Sequence, residues 1–292
     1  MGEAFGWLAE PLRYPFMRQA LAASVLVGVA SGLGSTFAVV RGMAFLADAL
    51  AHAILPGVAV AYLWGGGDSL ALFWGGLAAA LVAAGAVWAT SREQWVREDT
   101  AIGVVMAAAL ALGVAIISLR RTYAVDLTHL LFGNVLGVGP AELRRAAVLA
   151  VGLVGLAAAF WRPAAAVCFD PVLAATLGVP VAAVELLLLG MLAVTTVLAL
   201  QTVGVTMTVA MLVIPGAAAR LVARRLVPMA AVSVAVAVGA SAAGLYLSYY
   251  VGIPSGPATT LVAAAVFAAV RLGRARHARV VPAEPAGRPP NR

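Results

Sequence analysis

The sequence predicts an all-α polytopic membrane protein of about eight or nine transmembrane helices. Three observations carry that prediction. Of the 292 residues, 63% are hydrophobic and 11% charged, whereas a soluble domain carries about 25% charged residues. Apolar stretches of roughly 20 residues recur along the chain, each long enough to cross a bilayer as a helix. Their even spacing argues for one polytopic domain rather than a soluble head on an anchor. No removable signal peptide is expected, because the first run is too long and no small-residue cleavage site follows it.

The basic residues are informative by type. All nineteen are arginine. A P-loop needs a lysine on the β- and γ-phosphates, so this chain cannot build an ATPase site of the usual kind. The lone cysteine, Cys168, excludes an intrachain disulfide framework and a thiolate metal cage. Net charge is +7, and most of it sits in the tail Arg271–Arg292. Nucleic-acid binding is one reading of such a tail; a positive-inside anchor on the cytoplasmic side is the reading adopted.

Residues 1–14 read as a mixed polar and apolar lead, 15–272 as the transmembrane domain, and 273–292 as a basic, disordered cytoplasmic tail. Phe16–Val40 is the first span, and its Gly28-x-x-x-Gly32 spacing suits close helix packing. Phe45–Trp64 is the second. Gly65-Gly66-Gly67-Asp68 then breaks the chain before the third, Leu70–Ala89. After a charged loop, Asp99-Thr100 is expected to cap Ala101–Leu119. Tyr123–Gly139 is too interrupted for a plain span and fits a short or re-entrant helix. Leu143–Phe160 is a further span.

Trp161–Pro180 has a soluble-looking pattern. Asp170 reads as an N-cap, Pro171 as the first helical residue and Gly178 as the end. A short capped helix of this kind suits docking of a soluble partner. Leu186–Val203, Val205–Leu221, Met229–Tyr250 and Ala258–Arg271 complete the set. Pro215 is expected to kink or end its helix while freeing the carbonyl of Met211. Four crossings counted back from a cytoplasmic tail place 170–178 in the cytoplasm too. Upstream of residue 140 the sidedness depends on whether 123–139 crosses.

The chemistry concentrates in Asp48-Ala-Leu-Ala-His52-Ala-Ile-Leu-Pro56, inside the second span. An Asp at a membrane helix centre costs about 2.5–3.5 kcal/mol, so a compensating partner is required. At i and i+4 the two Cβ atoms lie about 5–6 Å apart on one helix face, which lets a carboxylate oxygen and an imidazole nitrogen share a divalent cation. Oxygen plus nitrogen suits manganese, iron or zinc rather than cuprous copper. Alternatively, Asp48 and His52 hydrogen-bond each other or a neighbouring helix.

Pro56 lacks the N–H that would bond the His52 carbonyl, leaving that oxygen to face the same site or a water. Two ligands are few, so water or a second copy of the helix across a two-fold axis would supply the remainder. Asp126 and His129, at i and i+3, sit beside Arg120-Arg121 at a span boundary, where polar residues need no special explanation. His277 lies in the basic tail, and Glu185 opens a span, where an acid is ordinary. No zinc-protease or nucleophile-elbow motif is found, which disfavours an intramembrane enzyme.

The run Phe37-Ala-Val-Val-Arg41 through Asp48, His52 and Gly57 resembles the signature of permeases from bacterial zinc/manganese/iron ABC importers. The likeness continues through Asp99-Thr-Ala-Ile-Gly103, Asp126-Leu-Thr-His129-Leu-Leu-Phe132-Gly-Asn134, Val213-Ile-Pro-Gly-Ala-Ala-Ala-Arg220 and Ser255-Gly-Pro257. Only 1–14 and 272–292 fall outside it.

The resemblance implies a homodimeric permease in the bacterial inner membrane, among its lipids. Its partners would be a separate ATP-binding cassette ATPase and an extracytoplasmic metal-binding solute protein. It implies no permanently bound cofactor and no enzymatic activity of its own; zinc, manganese or iron is the cargo. Phe169, Asp170, Pro171, Leu177 and Gly178 would belong to a short cytoplasmic coupling helix facing the ATPase. Asp48 and His52 match the polar pair of the family's second helix. Two departures are visible. Ala47 replaces a common glycine, and His129 replaces a residue that is often non-ionisable, raising an accessory metal contact near Asp126. A secondary transporter and an ABC permease for a metal chelate are the alternatives.

Overall fold

A computed structural model describes residues 10–65, 68–92, 95–118 and 137–280, with side chains to 274. After a single 3-10 turn, Pro11–Arg13, the chain runs as α1 (Pro15–Val40), α2 (Ala44–Ala53), α3 (Leu55–Gly65), α4 (Ser69–Ser91) and α5 (Glu98–Ser118). It resumes with α6 (Pro140–Ala159), α7 (Trp161–Phe169), α8 (Pro171–Thr176), α9 (Val181–Val203), α10 (Val205–Val222), α11 (Leu226–Val251) and α12 (Ser255–Val280). Eight helical stretches are long and apolar enough to cross a membrane, with α2 and α3 together making one. The α6–α7 pair, bent by 68°, raises that to as many as nine.

Helix α1 is the packing centre, running against α9, α10 and α11. Small residues set how closely it can be approached. A Cβ at Gly32 would lie 2.6 Å from the Cα of Val234, and one at Gly28 would lie 3.1 Å from that of Val238. The glycine spacing of α1 thus meets a matching four-residue spacing on α11, close packing of the kind small residues permit between membrane helices.

Buried polarity here is hydroxylic. Every fully buried polar side chain among the described residues is a serine or threonine. Thr36, Thr195, Thr196, Thr202 and Thr208 each return a hydrogen bond to the carbonyl four residues back on their own helix. Ser233 donates across to Gly32 O at 2.7 Å. Such bonds satisfy polar groups that the bilayer core cannot.

Several expectations change. Pro215 neither ends its helix nor stands at a terminus: α10 continues through it to Val222. The adjacent Gly216 N–H donates to Ser35 Oγ at 2.8 Å, so the bond disturbed at the proline is replaced from α1. Asp99 and Thr100 do not cap; α5 begins at Glu98, leaving both acids in its first turn. There they meet the positive end of the helix dipole. Trp161–Phe169, the first part of the stretch with a soluble-looking pattern, is helical and packs Ala164 and Val167 inward.

Contacts between helix ends sort the bundle into two faces. Arg41, Ser91, Arg92, Glu98 and Glu185 surround one cavity; Val40, Cys168, Arg220, Arg225 and Arg274 share another. At the opposite end the Tyr14 and Tyr249 rings lie 6.3 Å apart, and Arg145 reaches Ser69. Arginines gather at the first end (Arg41, Arg92, Arg97, Arg162, Arg220, Arg224, Arg225, Arg271, Arg274) and thin out at the second (Arg13, Arg18, Arg144, Arg145). The positive-inside rule places the first end in the cytoplasm. Ser118 and Gly137 both fall at the outer end, and Pro15 starts on the outer side.

Candidate functional site

Asp48 and His52 both lie on α2, which starts at the cytoplasmic end. At 1.5 Å rise per residue His52 stands about 12 Å in from Ala44, within the membrane. Local sequence explains the helix and its end. Ala-rich turns favour α2, and Pro56 cannot donate to the carbonyl of His52, so the helix breaks at Ile54 before resuming as α3. The His52 carbonyl therefore lacks the bond that an uninterrupted helix would give it, with only the Ile54 N–H of the cap turned toward it.

Close glycine contacts hold the break in place. A Cβ on Gly113 of α5 would lie 2.8 Å from Leu55 Cβ and 3.1 Å from Pro56 N. One on Gly57 would lie 2.0 Å from the Gly75 carbonyl oxygen of α4. Helices α4 and α5 therefore grip the proline turn through positions where no side chain intervenes.

The geometry of the pair is specific. His52 Nδ1 lies 2.9 Å from the backbone carbonyl of Asp48. A carbonyl only accepts, so Nδ1 carries the proton, and in the neutral ring the lone pair is left on Nε2. Asp48 Oδ1 stands 3.6 Å from the same Nδ1, beyond hydrogen-bond reach. The carboxylate is therefore not consumed by the imidazole. Both side chains are part-exposed, 42% for Asp48 and 34% for His52. They share that face with Phe45, which is 72% exposed.

A histidine that donates one ring N–H to a backbone carbonyl and offers the other nitrogen is arranged as metal-binding histidines are. Among the described residues no third His, Cys, Asp or Glu joins them to complete a metal cluster within the chain. Asp126 and His129, the other Asp/His pair, lie outside the described residues.

The residues expected to form a coupling segment are brought together at the cytoplasmic end. Asp170 caps α8, its Oδ1 accepting from Val172 N–H at 3.0 Å and Leu173 N–H at 2.9 Å. Pro171 is the first helical residue, and Gly178, with φ +78°, closes the turn. Phe169, Val172, Leu173 and Leu177 are all exposed, an apolar patch on a capped helix at the inner surface. Cys168, on α7, is part-buried and lines the inner-end cavity with Arg220 and Arg274.

One relationship was hidden from the sequence. Arg41, at the end of α1, pairs with Glu185 near the start of α9 at 2.9 Å, with side chains only 16% and 22% exposed. The residues are 144 positions apart, and nothing local marks them as partners. The available signal was an arginine and an acid each placed at a span boundary.

Comparison with known proteins agrees with this architecture. Residues 13–273 match the model of the ABC 3 transport family. The chain is 40% identical over 257 residues to the manganese transport system membrane protein MntC of Halalkalibacterium halodurans, covering 88% of this chain and 87% of that one. It is 35% identical over 263 residues to a probable iron transport system membrane protein of Haemophilus influenzae, covering 90% and 95%. PsaBC from Streptococcus pneumoniae, solved in complex with Fab, superposes with a TM-score of 0.79 at 32% identity, covering 91% of this chain and 94% of that one. With its family signature spread over nearly all its spans, this chain belongs to the ABC 3 transport family, as a multi-pass permease of the bacterial cell membrane.

Proposed function

We propose that the chain is the permease subunit of an ATP-driven importer of divalent first-row metal ions, with Asp48 and His52 as ligands to the ion in transit. One observation carries the site: the Nδ1–H bond from His52 to Asp48 O, which leaves Nε2 and a carboxylate side by side on one open helix face. Such a pair facing lipid would be costly. A second copy of α2 across a two-fold axis removes that cost and supplies the missing donors, making the functional unit a homodimer. A sparse, partly hydrated site also suits transport, since an ion held too tightly would not leave.

Energy comes from a separate ATP-binding cassette ATPase, because a chain without lysine lacks the P-loop residue. The exposed apolar surface of Phe169, Val172, Leu173 and Leu177 is the docking surface for that partner. A metal-binding solute protein delivers the ion to the outer face. Manganese is the cargo to test first, since it accepts oxygen and nitrogen donors and is the ion named for the relative that is 40% identical.

The test is uptake of radioactive Mn²⁺ into vesicles holding the chain with its ATPase and solute protein, with and without ATP. Full uptake without the ATPase would overturn the reading. Asp48→Asn with His52→Ala is expected to abolish uptake while the complex still assembles; unchanged uptake would remove both residues from the path.

A further inference from the structure

The cytoplasmic end carries a second feature that the transport site does not use. A cavity of about 460 Å³ opens between the α10–α11 turn, the end of α12 and the α7 helix, with Arg220, Arg224, Arg225 and Arg274 on it. No acidic side chain lines it. The neighbouring Asp170 is committed to the N–H groups of Val172 and Leu173.

Two of the arginines are held in place. Arg220 donates to Val39 O at 3.0 Å and Arg274 donates to Leu221 O. The guanidinium groups of Arg224 and Arg225 take no part in any hydrogen bond or ion pair among the described residues. Four like charges around one cavity repel one another, a cost relieved when an anion enters.

Depth and lining say which anion. Arg220 and Arg274 stand at the inner ends of membrane-crossing helices, the level of the lipid headgroups. Val40, Leu226 and Met229 give the same cavity an apolar part. Basic groups beside an apolar surface at the cytoplasmic leaflet match a phospholipid, whose phosphate and acylglycerol need the two surfaces together; a soluble phosphate would gain nothing from the second. Basic pockets between helices on this side of a membrane are suited to anionic headgroups.

We infer that this cavity binds the headgroup of one anionic phospholipid, set against Cys168 and Phe169 at the foot of the α7–α8 segment. The cavity shares Phe169 with the surface proposed for the ATPase, but its ligand is read out without metal or ATP.

The experiment uses the full chain in nanodiscs of phosphatidylcholine with a minor fraction of spin-labelled phosphatidylglycerol. Wild-type protein should hold one immobilised labelled lipid per chain. Arg224→Gln with Arg225→Gln should weaken that binding about thirtyfold, from about a factor of five per arginine. Arg162→Gln, which removes an inner-end arginine away from the cavity, should leave it unchanged.

If the glutamine pair inserts poorly, Arg224→Lys with Arg225→Lys keeps the charge and should retain most of the binding. Equal binding in wild type and the glutamine pair would overturn the inference, as would an equal loss in Arg162→Gln. Displacement of the labelled lipid by millimolar inorganic phosphate would reassign the cavity to a soluble anion. Loss of ATPase association with lipid binding intact would reassign it to a protein partner.

Discussion

Arg41 and Glu185 join the end of α1 to the start of α9 through a 2.9 Å ion pair that is largely out of solvent. Three residues beyond Arg41, past Gly42 at φ +76°, α2 begins and carries Asp48 and His52. A few residues before Glu185 lie Gly178 and the capped α8 helix. The pair therefore ties the inner base of the candidate metal helix to the segment expected to meet the ATPase.

Removing one partner strands the other. Glu185→Gln removes the ion-pair partner of Arg41 and leaves Glu98 as the remaining acid of that cavity, and Arg41 Nη1 is already without a hydrogen-bond partner. Breaking a buried pair costs about 3–5 kcal/mol; the residual exposure here places the expected loss toward the lower end. Thermal unfolding in detergent should show Glu185→Gln well below wild type, and Arg41→Glu with Glu185→Arg recovering part of the difference. Equal stability of single and double variants would show that the charges do not act on each other.

Gly57→Ala should be more damaging than its size suggests. The added methyl would meet the Gly75 carbonyl at 2.0 Å and Ala79 Cβ at 2.6 Å, so α3 and α4 must separate. Overpacking of this kind costs about 1–3 kcal/mol. Reduced yield of monodisperse protein is the readout. Gly85→Ala, where no atom lies within 4 Å of the added methyl, is the control expected to behave as wild type.

Ser35→Ala should destabilise the α1–α10 contact without any change in volume that packing would notice. The Gly216 N–H loses its acceptor, and a buried unsatisfied donor costs about 1–3 kcal/mol. Ser35→Thr keeps the hydroxyl but adds a methyl to a fully buried position, so it should not rescue. Hydrogen exchange at Gly216, faster in Ser35→Ala alone, locates the effect.

How much of this was legible in the residues differs by length scale. Spans were readable because a bilayer imposes one length and one polarity on each crossing, and the Asp170 cap because its signal is confined to a few neighbouring residues. Asp48 and His52 stand out for the opposite reason, as polar groups where polarity is expensive. The details that failed depend on a second helix. Pro215 allows either a kink or an end from the sequence alone, which does not show Ser35 reaching across to Gly216. Glu185 was read as an ordinary first-turn acid because Arg41 is remote in the chain.

The interruption at Ile54 gives Asp48 and His52 unequal lever arms. His52 lies about 3 Å from the break along the axis and Asp48 about 9 Å. A tilt of α2 by about ten degrees around that point would carry Asp48 about 1.5 Å but His52 only about 0.5 Å. An ion shared by both would part from its oxygen ligand first while the nitrogen contact persisted, so that unloading proceeds in an order set by where the proline falls in the chain.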